Sequence, residues 1–170
     1  MKNLLLCLSL VLGLSLPAHA AIARVDQGTS GLGATGSATS GTTVTVTLSQ
    51  AAVAGSMLVA WDSGDTGISV SSISGGGVTW ALLGKSAAGG SNREEIWYGL
   101  NSSGSGTTIT ITMSGTITVA ERATVAEFSG VATSSAVDIS GSAKNSSGNS
   151  ISTNSITPTA GLNQLIVAGY

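Results

Sequence analysis

Side chains able to do chemistry are scarce in this chain. It holds one cysteine and one histidine, Cys7 and His19, and both fall within the first twenty residues. That opening reads as a secretory leader. Lys2 supplies the basic start, Leu4 to Leu16 form an apolar run, and Pro17-Ala18-His19-Ala20 ends it in the small-x-small pattern of a signal-peptidase site. Cys7 sits inside the apolar run, not at the cleavage point, so lipoprotein anchoring is not expected. Removal of residues 1–20 leaves residues 21–170, expected to form one domain with neither cysteine nor histidine. Such a domain has no disulfide, no thiolate nucleophile and no imidazole base.

Charge is nearly as sparse. Only 8% of residues are charged, and without Lys2 the formal charge moves from −2 to −3. The remaining bases, Arg24, Lys85, Arg93, Arg122 and Lys144, are scattered along the chain. They make neither a phosphate-tracking stripe nor a polybasic membrane patch, so nucleic acid is not an expected partner. The leader's apolar run is too short for a typical spanning helix and no longer run follows, so no membrane span is expected. The compartment implied is secreted, extracellular or periplasmic.

What the chain does have is β pattern, with Ser, Thr and Gly in abundance. Thr43-Val44-Thr45-Val46-Thr47-Leu48 alternates strictly, and Gly106 to Ser114 echoes Gly41 to Ser49 almost residue for residue. The aliphatic residues Val44, Val46, Ile109, Ile111 and Met113 are expected in the core, with the intervening threonines in solvent. Met57 to Trp61 is apolar on both faces and reads as an interior strand. Further strands are expected at Ala21–Asp26, Val78–Leu83, Glu94–Leu100, Arg122–Ser129, Ala136–Ser140, Ser150–Thr157 and Gln164–Tyr170. Residues 24–41, past that first short strand, read as loop. Turn signals stand at Gly75-Gly76-Gly77, Gly89 to Asn92 and Asn101 to Gly106. Short strands, glycine-rich turns and no helical period predict an all-β fold of two packed antiparallel sheets, a β-sandwich of jelly-roll or immunoglobulin-like kind.

Candidate sites are few. Glycoside hydrolysis needs two carboxyl groups facing one cleft. Glu127 is the odd acid, alone in an apolar strand beside Phe128, and no second acid is spaced to oppose it. It reads as a partly buried glutamate paired with Arg93 or Arg122. Asp62-Ser63-Gly64-Asp65 offers oxygen ligands for calcium through Asp62 and Asp65, but it is ordinary turn chemistry too. Trp97 shares a strand face with Glu95, whereas Tyr98 shares the other with Ile96 and Leu100. Trp97, with Glu95 beside it, is therefore the expected platform for a sugar ring, while Trp61 and Trp80 are expected in the core. No catalytic residue is identified and no cofactor is required, calcium being the one ion the residues could take.

The ordered series Leu58-Val59-Ala60-Trp61 after Gly55, Val78-Thr79-Trp80, Glu95-Ile96-Trp97-Tyr98, Thr107 to Thr112, Val125 to Gly130 and Val137-Asp138 carries a resemblance. From residue 42 onward the chain resembles exported bacterial β-sandwich modules of surface, extracellular and phage structural proteins. The resemblance implies fold and location and brings no catalytic residues. In such modules the chain runs on past the strand at Gln164–Tyr170, so the domain is expected to be cut short at its C-terminus, leaving that strand to pair with another chain. The expected function is a non-catalytic structural, adhesive or display module at or outside the cell surface. Its expected partners are other surface proteins or polysaccharide. The alternative is a carbohydrate-binding domain using Trp97 and adjacent loops.

Overall fold

The structure, a computed structural model, describes residues 21–28, 33–64, 66–86, 92–100, 102–138, 157 and 164–168. The leader and most of the Ser150–Thr157 strand expectation lie outside the described residues. Those described hold nine strands and no helix: β1 Ala23–Val25, β2 Ala34–Ala38, β3 Thr43–Thr47, β4 Met57–Gly64, β5 Val70–Gly75, β6 Thr79–Lys85, β7 Arg93–Leu100, β8 Thr108–Met113 and β9 Glu121–Ser129. Among them no helix is long and apolar enough to cross a membrane.

The strands form two antiparallel sheets. The large sheet runs β1-β9-β4-β7-β6, with β2 also on β9, and the small sheet runs β3-β8-β5. Both feed one core, as in a β-sandwich. Val44, Val46, Ile109, Ile111 and Met113 enter it from the small sheet, and Leu58, Ala60, Ala123 and Val125 from the large one. Each fully buried Val or Ile contributes about 1.5–3 kcal/mol relative to exposure, and a one-residue slip would forfeit all of them at once. The register is therefore set by the aliphatic face, as the alternation predicts. Thr43 pairs with Thr112, Thr45 with Thr110 and Thr47 with Thr108, all on the side away from the core.

Two strands escape sequence reading, each for a physical reason. β2, Ala-Thr-Gly-Ser-Ala, falls in the stretch read as loop and has little strand propensity of its own. It extends because β9 offers it a partner from Val125 to Glu121. β1 and β2 thus form one interrupted edge along β9. Gly33 lets the chain re-enter that edge with a φ of 114°, where a Cβ would collide with the carbonyl of Val125. β5 carries its buried residues, Val70 and Ile73, three apart, because a bulge between Val70 and Ser72 breaks the period of two. The expectation of further strands is corrected at the C-terminal end. Residues 136–138 join neither sheet, and Gln164–Ala168 has no ladder bonds.

The register has a direct test. Ile111→Ala should cost about 2–5 kcal/mol, whereas Thr110→Ala, on the opposite side of the same strand, should change stability by less than about 0.5 kcal/mol. Urea unfolding of both variants measures this, and equal losses would contradict the assigned faces.

Candidate functional site

β7 begins Arg93-Glu94-Glu95-Ile96-Trp97, and alternation sends Arg93, Glu95 and Trp97 to one side. That side faces the space between the sheets. Arg93 and Glu95 are buried, and Trp97 packs half-buried against the core. The same rule applied to β4 and β9 brings Asp62 opposite Glu95 and Ala123, and Gly64 opposite Arg93. Four ionisable side chains consequently meet at one end of the sandwich. Arg93 Nη2 lies 2.7 Å from Asp62 Oδ2 and 2.7 Å from Glu121 Oε2, while Nη1 lies 3.1 Å from Glu95 Oε1.

Glu95 extends the cluster in two directions. Its Oε1 also accepts the backbone N–H of Val70 at 3.2 Å, which ties β5 of the small sheet to β7 of the large one. Its Oε2 accepts the indole N–H of Trp97 at 3.1 Å. Glu121 reaches Arg93 only because residue 64 is glycine, since a Cβ there would occupy the place of the Glu121 carboxylate. The structure thus joins three of the sequence-derived candidates, Asp62, Glu95 and Trp97, through Arg93. Asp65 lies outside the described residues.

Three carboxylates converge on a single guanidinium, so the cluster carries an excess of negative charge if all are ionised. Asp62 relieves it. Burial pushes its carboxyl from 3.8 up to about 6, against the pull of Arg93. Neither Asp62 oxygen has an aligned hydrogen bond, the 2.7 Å approach of Arg93 being oblique. An unsolvated oxygen without such a bond favours the protonated form. Burial opposes the charge on Arg93 as well, yet Asp62, Glu121 and Glu95 together hold its pKa above the ordinary arginine value. On the opposite side of β7, burial alone raises Glu94.

A second polar network lies elsewhere. Glu127 is fully buried, and it pairs with neither arginine. It accepts the Gln27 side-chain amide and, at 2.6 Å, the backbone N–H of Val53. The Gln27 carbonyl oxygen in turn accepts the N–H of Gln50 at 3.3 Å. Glu127 is therefore a structural acceptor that fastens the segment after β1 to the segment before β4.

Beside the arginine cluster a cleft of about 270 Å³ opens where the two sheets end. Ser69, Ser114, Lys85, Ser86 and Asn92 line it, with Arg93 and Glu95 at its base. The arrangement can donate and accept hydrogen bonds to a small polar ligand. Among the described residues no group of three Asp, Glu, His or Cys side chains is placed to hold a metal ion. Sequence reasoning missed Arg93 as the hub and Glu121 as its partner. The available signal was an isolated Asp62 at the end of an apolar strand, with Arg93 and Glu95 spaced two apart on another. Comparison with protein-family models, with curated proteins and with solved structures finds no match to the chain.

The raised Asp62 gives a pH dependence whose sign follows from linkage. The unfolded chain releases this proton near pH 4 and the folded chain near pH 6, so the folded state binds more protons between those values. Stability contributed by Asp62 is fully present below about pH 4 and lost as pH rises through 6, by of order 2–3 kcal/mol. Asp62→Asn should remove that slope, so the difference between variant and wild type in urea unfolding should change across pH 4 to 7. A difference constant over the range would contradict the assignment.

Proposed function

We propose that this chain is an exported, non-catalytic module of jelly-roll kind, acting through its surfaces in a structural, adhesive or display role at or outside the cell surface. The leader pattern of residues 1–20 supports export. The jelly-roll reading is supported by the chain's path. It changes sheets at β2–β3, β3–β4, β4–β5, β5–β6, β7–β8 and β8–β9, and it places β1 and β2 beside β9.

One observation carries the functional reading: the converging charges are used inside, and a broad face is left uncharged. Asp62, Arg93, Glu95 and Glu121 bind one another between the sheets. The outward side of the small sheet sets Thr43, Thr45 and Thr47 beside Thr112, Thr110 and Thr108, and none of its three strands holds a charged residue. A flat hydroxyl face without like-charge repulsion suits close packing against another polar surface, such as a surface protein or a polysaccharide.

A second reading is favoured by the cleft beside Glu95: binding of a sugar unit by Lys85, Asn92 and the neighbouring hydroxyls, Trp97 bonding to Glu95 but packing against the core outside the cleft's lining. Retention of the purified domain on cell envelopes and on a panel of insoluble polysaccharides separates these. The surface role predicts that Thr45→Asp with Thr110→Asp lowers retention about tenfold while Asn92→Ala leaves it unchanged. The reverse result favours the cleft. Release of reducing sugar during incubation would overturn the non-catalytic reading.

A further inference from the structure

The large sheet is apolar on both sides, and its outer side needs a cover. Met57 stands opposite Phe128, Val59 lies between Tyr98 and Ala126, and Trp61 lies between Ile96 and Thr124. All of these alternate with the core-facing residues Leu58 and Ala60, so they point away from the core. In a two-layer fold that side meets water, yet Val59 is 0%, Ala126 3% and Met57 6% exposed. Trp61, Ile96, Tyr98 and Phe128 are half-buried around them.

Gln164–Ala168 lies against this face. The Trp61 indole N–H donates to the carbonyl of Ala168 at 3.1 Å. The segment has the burial signature of an extended chain lying flat on a surface. Leu165 and Val167 are half-buried, whereas Gln164, Ile166 and Ala168 are exposed, Ile166 by 76%. It pairs with no strand among the described residues. Within the chain the segment thus meets the sheet face-on.

We propose that the outer face of the large sheet is a seat for Gln164–Ala168, and that two copies of this chain associate by exchanging the segment. The proposal rests on the structural and adhesive reading above and names a partner for it, a second copy. Three features support exchange. The segment pairs with no strand among the described residues, so it can leave while β1–β9 stay paired. Thirty-four residues separate Ser129, the end of β9, from Gln164. Extended, they span on the order of 100 Å, enough to reach a neighbouring copy. A vacated seat would expose a contiguous patch around Val59, Trp61, Tyr98 and Phe128, which favours refilling, and a second copy's segment makes the same contacts.

Light scattering on the full mature chain, from low micromolar to near-millimolar concentration, tests this. Exchange predicts a dimer that grows with concentration, persists in Ile166→Lys and disappears in Leu165→Asp/Val167→Asp. An excess of synthetic Gln164–Ala168 peptide should return the wild-type dimer to monomer, a readout that needs no variant to fold. A wild-type chain that stays monomeric throughout, or a dimer that survives the double variant or the peptide, would overturn the proposal. A monomer that still adheres through its threonine face would sink exchange and leave the surface role standing. A peptide-sensitive dimer that adheres to nothing would do the reverse.

Discussion

Around Arg93, three carboxylates and one guanidinium share a space that water barely reaches, and the register of the large sheet brings them together. Asp62 comes from β4, Glu95 from β7 and Glu121 from the start of β9, so the cluster crosses the three central strands of the large sheet. Through Glu95 and the Val70 N–H it also grips the small sheet. Taking such charges out of water costs several kcal/mol per ion, recovered only when each group finds a partner. The cluster itself belongs to the large sheet, and the bond from the Val70 N–H to Glu95 is its tie to the small one.

That inward use of charge shapes the rest of the molecule. With so few ionisable groups, committing an arginine and three acids to the interior, and Glu127 to Gln27 and Val53, leaves the outer side of the small sheet to hydroxyls. The large sheet has the opposite character. It packs its inner side on the core and its outer side against Gln164–Ala168, so β4 is apolar in both directions. The two outer faces can then serve different contacts, one polar, the other apolar and already occupied.

Much of the fold was legible in the residues, and the exceptions share a cause. Strands that bury an alternating aliphatic face, such as Thr43–Thr47 and Thr108–Met113, announce themselves. Ala34–Ala38 does not, because its extension comes from β9 and not from its own side chains. Val70–Gly75 was hidden by a bulge that spoils its period. The pairing of Trp97 with Glu95 was readable from spacing, but which way their face points was not. Alternation assigns two sides, and only the position of the small sheet decides which is inside. The same ambiguity hid the outward placement of Trp61. The arginine cluster lay beyond local reading, since its members are separated by up to 59 positions, from Asp62 to Glu121, and meet only through sheet register.

The most direct measurement is the stability of Arg93→Met at neutral and at acid pH. Removing the guanidinium leaves three buried carboxylates without their cation, so a loss of about 3–5 kcal/mol is expected at pH 7. Part of it should be recovered near pH 4, where Asp62 holds its proton. A loss below about 1 kcal/mol at pH 7, or a loss of the same size at both pH values, would contradict the claim that Arg93 is the group that holds these buried carboxylates together across β4, β7 and β9.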